Sequence, residues 1–383
     1  MVASRLRACQ NGRAALGCEG PALPIRDSFF SAATAVLVGA AALGGSCPRS
    51  EAAEPAHRQG PPPFGGINLA TGSFAAEKIP GRYGFDYVYP DRATAAPFLA
   101  AGMTAVRVPV IWERLQPQAG GPLDEAEMGH LDASLRDMDG FRHIILDVHN
   151  YGDFHRQHVT DTPELTAAFA DLWSKLATRY RGQPNIAFGL MNEPHDIPAP
   201  AWRRAADAAV AAVRRTGARN LILVPGTEWT GARTWTEGGN AAAFAGFRDP
   251  GNNFAFEMHL YLDADGSGTS PDCVSETVGV ERVRAATAWL RANRYRGFLG
   301  EFGSGQSPTC LAGLDRLVGF VAVNSDAWIG WTYWAGGAWW GDYFMSAQPG
   351  PNGKPKPQLQ ALARHLPPPS PAAAGKGKSP DRH

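Results

Sequence analysis

Two glutamates stand where they could do chemistry. In Ile186-Ala187-Phe188-Gly189-Leu190-Met191-Asn192-Glu193-Pro194-His195, an apolar run of strand length delivers an Asn-Glu pair and is stopped by proline. About a hundred residues later, Gly297-Phe298-Leu299-Gly300-Glu301-Phe302-Gly303 ends on a carboxylate in the same way. A carboxyl at a strand end sits on a rigid element at the rim of a sheet, open to a ligand outside. Two such carboxyls are what cleavage of a glycosidic bond needs. One protonates the departing oxygen, and the other attacks the anomeric carbon or activates water. Either glutamate alone would also fit an ion-paired strand end; their matching contexts favour the chemical reading.

These residues need elements to position them. Short apolar runs predict strands at Phe64–Leu69, Ala105–Val110, His143–Val148, Ile186–Met191, Leu221–Val224, Phe254–His259, Phe298–Glu301 and Trp328–Trp334. They lack clean alternation, as expected of parallel strands covered on both faces. Helical patterns lie between many of them, at Pro163–Arg181, Ala201–Thr216, Glu276–Asn293 and Cys310–Asn324. Eight strands alternating with helices predict an α/β fold, a (β/α)8 TIM barrel forming a single catalytic domain. The alternative, an open doubly wound sheet, lacks its usual Gly-rich phosphate loop after the first strand. In such a barrel the site gathers at the C-terminal strand ends. There the sequence puts Asn68, Arg107, His149, Asn150, Asn192, Glu193, Trp229, His259, Tyr261, Glu301 and Trp334.

Composition bounds the partners. The chain has 383 residues, 44% hydrophobic and 19% charged, with zero net charge. That describes an ordinary globular protein with no basic field for nucleic acid. Arg5, Arg7, Arg13 and Arg26 precede the apolar run Phe29–Leu43, which is short for a membrane span. Residues 1–47 therefore read as a secretory signal with a long leading region, or as an uncleaved anchor. Leu43-Gly44-Gly45-Ser46-Cys47 loosely matches a lipoprotein box with the leucine one place too far from Cys47. Residues 48–63 form a Pro-rich connecting segment, 64–366 the catalytic domain, and 367–383 a Pro/Ala/Lys-rich tail that cannot build a core. Cys9, Cys18 and Cys47 fall in the segment to be removed, leaving Cys273 and Cys310 as a disulfide or two buried thiols. The product is expected outside the cell or in a periplasm, as a monomer with no nucleic-acid or lasting membrane partner.

With these residues in view, the chain resembles glycoside hydrolase family 5, the large cellulase family, in its branch of fungal and bacterial endo-β-1,4-glucanases. The strongest motif is Gly189-Leu190-Met191-Asn192-Glu193-Pro194-His195-Asp196. Asp147-Val148-His149-Asn150-Tyr151, His259-Leu260-Tyr261-Leu262-Asp263 and Gly300-Glu301-Phe302-Gly303 support it. Asp265-Gly266-Ser267-Gly268-Thr269, followed by Cys273, narrows the match to that branch. The resemblance spans roughly residues 64–365.

It implies a retaining double displacement on a β-1,4-glucan, with Glu193 as acid/base and Glu301 as nucleophile. Asn192 would bond the sugar 2-hydroxyl, and Arg107 and Tyr261 would hold the nucleophile. His149 and His259 would bind substrate and support the acid/base, and Trp334 would lie under the sugar at the cleavage point. Asn150 and Trp229 join the substrate-binding and supporting set. A Cys273–Cys310 bridge is implied as well. Runner-up readings are a β-mannanase or other β-glycan endohydrolase, and a glycan-binding barrel without activity.

Elementary electrostatics adds expectations of its own. Glu301 must stay ionised, which Arg107 and the Tyr261 hydroxyl would secure. Glu193 must begin protonated, which partial burial and a neighbouring negative charge favour. Double displacement needs the carboxyls about 5–5.5 Å apart, against about 6.5–9.5 Å for inversion. His149 and His259, with Asp147 or Glu193, have the residue types of a zinc or iron site. No HExxH-like close pair accompanies them, and the expectation is no metal and no cofactor. Of the aromatics, Trp334 reads as a sugar platform, Trp229 and Trp339 as platform or packing, and Trp331 and Trp340 as packing at least as much.

Overall fold

The computed structural model describes residues 60–350 and 352–367. The expected signal at 1–47 with Phe29–Leu43 and Cys47, residues 48–59 of the connecting segment, and the tail beyond 367 lie outside the described residues. Eight strands close into a barrel: β1 (Phe64–Leu69), β2 (Ala105–Val110), β3 (His143–Val148), β4 (Ile186–Gly189), β5 (Ile222–Pro225), β6 (Phe254–Tyr261), β7 (Gly297–Gly303) and β8 (Trp328–Gly336). Each pairs in parallel with its sequence neighbours, and β1 closes the circle against β8. The longer helices are α1 (Arg92–Ala100), α2 (Glu125–Asp137), α3 (Pro163–Tyr180), α4 (Ala199–Arg215), α5 (Val278–Asn293), α6 (Pro308–Val323) and α7 (Pro357–Ala363). The TIM barrel is thus as expected.

The apolar runs hide a division of labour with period two. Residues facing the helices, such as Val106, Val108 and Val110 on β2 or Phe256, Met258 and Leu260 on β6, belong to the main core. Inside the barrel a smaller apolar layer of Ala105, Ile145, Ala187, Leu223, Ala255 and Phe298 plugs the base. Two residues further along the same faces the side chains turn polar: Arg107, Asp147 and Glu257. A packed floor under a polar mouth is what positions the site.

Boundaries differ from expectation mainly at the mouth. β6 runs on to Tyr261 and β7 to Gly303, because the ladder continues through polar pairs: His259 lies opposite Glu301 and Tyr261 opposite Gly303. β4 leaves the ladder at Gly189, before the Asn-Glu pair. Neither α1 nor α2 is among the helices expected from sequence: α1 has little apolar periodicity and contains Pro97, whereas α2 buries a stripe of Met128, Leu131 and Leu135. Asp91 and Asp124 start them by accepting hydrogen bonds from the backbone N–H of Thr94 and Glu127. Thr162 and Ser307 start α3 and α6 the same way.

A bulge aims Glu301. Glu257 pairs with Phe298 and Met258 with Leu299, but His259 pairs with Glu301, so Gly300 is skipped. The Gly300 carbonyl is satisfied by side chains instead, accepting from Asn68 Nδ2 at 2.9 Å and Thr332 Oγ1 at 2.6 Å. A β-carbon at this position would lie 2.2 Å from Glu257 Oε1, so only glycine fits. Cys273, in the β6–α5 loop, is bonded to Cys310 in the first turn of α6, with Cα atoms 5.3 Å apart.

Two stability predictions follow from this packing. Gly300→Ala is expected to cost about 1–3 kcal/mol through overpacking against a buried carboxylate, seen as a lowered Tm. Cys310→Ser should cost about 4 kcal/mol by the loop-entropy relation, measured by denaturant unfolding. An unchanged midpoint in either variant would refute that account.

Candidate active site

Arg107 organises the mouth of the barrel. Its side chain has no solvent exposure. Nη1 donates to Glu301 Oε1 at 2.8 Å and to Asn68 Oδ1 at 3.0 Å, and Nη2 to Asn192 Oδ1 at 2.9 Å. Nη2 also lies 2.9 Å from Asp147 Oδ1, and Nε 2.9 Å from Glu257 Oε1. Those last two contacts are ion pairs lying off the hydrogen-bond direction. Burial opposes the guanidinium charge, but Asp147, Glu257, Glu301 and Glu193 together raise its pKa further. The cation is permanent.

Glu301 is held from two sides, since the Tyr261 hydroxyl donates to Oε2 at 2.8 Å. Burial, then the Glu301 charge, push the Tyr261 pKa far up, which keeps it a donor. Burial also raises Glu301 itself above the ordinary glutamate value; His259 and Arg107 oppose that shift, and Glu193 adds to it. Glu193 is more open, its side chain 16% exposed against 4% for Glu301. Its backbone lies in the left-handed region at φ 42°, which costs a non-glycine residue roughly 1–3 kcal/mol. Nearby, Trp173 of α3 fixes the turn by donating Nε1–H to the Leu190 carbonyl at 3.0 Å.

His259 joins the two glutamates. Nδ1 lies 2.7 Å from Glu193 Oε1 and 3.7 Å from Glu301 Oε2, and Nε2 lies 3.4 Å from Glu257 Oε1. Burial would lower its pKa, but the surrounding carboxylates overcome this and raise it to about 10. One carboxylate oxygen from each of Glu193 and Glu301 and a ring nitrogen of His259 fall within 4.8 Å of one another. The 2.7 Å contact is a hydrogen bond, and Arg107 already neutralises Glu301, so this trio is not an open set of metal donors.

The flanks are aromatic. His149 is fixed by Asp147, whose Oδ2 lies 2.8 Å from Nδ1, and stacks parallel to Trp334 with centroids 5.7 Å apart. Trp334 meets Trp340 edge-on, and Trp340 stacks on Tyr343 at 4.6 Å. On the other side Trp229, 48% exposed, stacks on His195 at 4.7 Å. Its N–H donates to the Pro194 carbonyl at 3.1 Å, tying it to the residue after Glu193.

Arg107, Asn192, Tyr261 and Glu301 thus form one hydrogen-bonded group; the hydrogen-bonded pair of Glu193 and His259 joins it through ion pairs to Glu257 and Glu301, and His149 and Trp334 through Asp147 and ring stacking. Trp229 stands at the rim. Asn150 is turned inward: Oδ1 accepts from Trp112 N–H at 2.8 Å and Nδ2 donates to Glu113 at 2.6 Å, so its amide braces two loops. Trp331 and Trp340 are buried in the core, while Trp339 is partly exposed. Sequence reading missed Glu257, and it left Asp147 and Asn68 without roles. The two acids precede His259 and His149 by two residues, so strand periodicity could have placed them on the inner face.

The sequence model of the cellulase family, glycosyl hydrolase family 5, matches residues 68–337. A probable endo-beta-1,4-glucanase B of Aspergillus niger is 36% identical over 281 residues, 73% of this chain and 83% of that protein. An endo-beta-1,4-glucanase from Xanthomonas axonopodis pv. citri superposes with a TM-score of 0.77 at 45% identity, covering 79% of this chain and 98% of that one. XacCel5A, solved with cellopentaose, gives 0.78 at 43% identity over 80% of this chain and 99% of its own. With the barrel, the paired glutamates and these matches together, the chain belongs to the cellulase family, glycosyl hydrolase family 5.

Proposed function

We propose that this protein is a secreted endo-β-1,4-glucanase that cleaves internal β-1,4-glucosidic bonds with retention, Glu193 serving as acid/base and Glu301 as nucleophile. The observation that carries this is the approach of the two carboxyls. An oxygen of each within 4.8 Å of the other supports the roughly 5–5.5 Å of double displacement over the roughly 6.5–9.5 Å of inversion. The activities in the names of the relatives support the substrate class. Residues 1–47 would direct export, 48–63 connect and 64–366 do the work; among the described residues, no helix is long and apolar enough to cross a membrane.

In the first step a Glu301 oxygen bonds the anomeric carbon as the bond to the leaving oxygen breaks. That oxygen takes its electron pair and the proton of Glu193. Glu193, now ionised, takes a proton from water, which attacks the same carbon and returns Glu301 as carboxylate. Asn192, held by Arg107, would bond the sugar 2-hydroxyl, and Trp334 would lie against the sugar face. His149 would meet the substrate, Tyr261 donates to Glu301, and Asn150 acts as a brace. Trp229 offers a second platform beside His195.

Carboxymethylcellulose should release reducing ends with the full chain, and Glu301→Gln should lose at least about a thousandfold in kcat, the scale of losing a nucleophile. Proton NMR of the first product should show the β-anomer. Activity on mannan alone would move the substrate, and an initial α-anomer would end the double-displacement reading. The raised Glu301 carboxyl binds its proton at higher pH than an exposed one. The acidic limb of kcat/KM should therefore lie above about pH 4.3, the ordinary glutamate value. Dialysis against EDTA should leave the rate unchanged; a loss restored by a metal would overturn the metal-free reading.

A further inference from the structure

The mechanism leaves one charged side chain in the mouth of the barrel without a task. Glu257 lies on β6 two residues before His259, its side chain 1% exposed. Oε1 lies 2.9 Å from Arg107 Nε and 3.4 Å from His259 Nε2, while Oε2 has no hydrogen-bond partner among the described residues. An orphaned buried acceptor is costly, so the ion pairs it makes must offset it. The chain also keeps position 300 as glycine, where any β-carbon would fall on this carboxylate.

The two nitrogens of His259 face two carboxyls, and that constrains its protons. Nε2 faces Glu257, which when ionised can only accept, so Nε2 carries hydrogen. If His259 were neutral, Nδ1 would then be a bare acceptor 2.7 Å from Glu193 Oε1 and would hold the acid's proton. If His259 is charged, Nδ1–H donates to Glu193 Oε1. The acid's proton is then confined to the other oxygen, free to reach a leaving group. The charges facing the ring are Glu193 beyond β4, Glu257 on its own strand and Glu301 on β7, with Arg107 of β2 behind the last two. Glu193 and Glu301 change charge during the proposed reaction. Glu257 does not, because burial is outweighed by Arg107 and then His259, which hold it below the ordinary glutamate range.

We propose that Glu257 is a positioning residue that keeps His259 charged, fixing the direction of the His259–Glu193 hydrogen bond so that the acid's proton faces the leaving group. The inference rests on the roles proposed above for Glu193 and Glu301. It predicts a loss confined to steps that need the acid. Glu257→Gln keeps an acceptor for Nε2–H, and so the ring's orientation, but removes the charge.

The test compares kcat/KM, which reports the first chemical step, on two substrates. Cleavage of cellopentaose releases a sugar fragment whose departing oxygen must be protonated; 2,4-dinitrophenyl β-cellobioside releases a phenolate that need not be. Glu257→Gln should lower kcat/KM on cellopentaose by about 100-fold or more, the lower end of what general acid catalysis contributes. On the dinitrophenyl glycoside it should change less than about threefold. The alkaline limb on cellopentaose should move down by about 1–3 pH units, the effect of losing a near carboxylate. Equal losses on both substrates, or an unmoved limb, would overturn the proposal. A variant-free check uses nitrogen NMR of the unsubstituted protein at pH 8. His259 should carry hydrogen on both ring nitrogens, and a neutral ring would refute the proposal even if Glu257→Gln fails to fold. If the unsubstituted protein cleaves neither substrate, it is the glucanase reading that falls, while the NMR result still judges His259.

Discussion

A guanidinium buried without solvent exposure is an expensive object, and the mouth of this barrel is arranged around one. Arg107 comes from β2, yet its partners come from β1, β3, the turn after β4, β6 and β7: Asn68, Asp147, Asn192, Glu257 and Glu301. Desolvating a charge costs several kcal/mol unless it is paired and hydrogen-bonded. The converse also holds: three of the partners are buried carboxylates that would be uncompensated without the cation. Each side of this arrangement compensates the other, and together they hold six strand ends to one geometry. The site's precision follows from that mutual requirement.

Within this frame the two reactive glutamates are kept unlike. Glu301 sits within a strand just past its bulge, nearly enclosed, with a permanent cation on one oxygen and a phenol on the other. Glu193 sits just past the end of its strand in a strained turn, more exposed and bonded to an imidazole. The two carboxyls thus differ in burial and in partners although both side chains are glutamate. The bulge at Gly300 makes the contrast possible, since it places Glu301 opposite His259.

The loops hold this machinery in place. Asp263 accepts backbone hydrogen bonds from Gly268, Thr269 and Ser270, tightening the loop after β6 into a compact cap beside Tyr261. Gly268 lies so near that ring that a β-carbon would come within 2.6 Å of it. The Cys273–Cys310 bond then ties that loop to α6, the helix that follows Glu301's strand. Constraints on the loops are thereby passed to the residues flanking Glu301. Aromatic rings line both rims, Trp334 against His149 on one side and Trp229 against His195 on the other.

The sequence by itself determined the eight strands, the barrel and the two glutamates, because apolar runs ended by a carboxylate are local patterns. It also placed Arg107, Asn192, His259 and Tyr261 at strand ends, where a resemblance of motifs could supply their roles. What it could not decide is anything that depends on which side chains meet across the barrel. That Arg107 gathers three carboxylates, that Glu257 stands behind His259, and that Asn150 turns inward toward Glu113 follow from closure and register, which are set by pairs far apart in the chain. The bulge illustrates the limit. Gly-Glu-Phe-Gly reads as plain strand, and only the facing carboxylate of Glu257 reveals why residue 300 carries no side chain. Helix α1 was illegible for a related reason, since its stability comes from its cap and from the sheet it covers more than from an apolar stripe of its own.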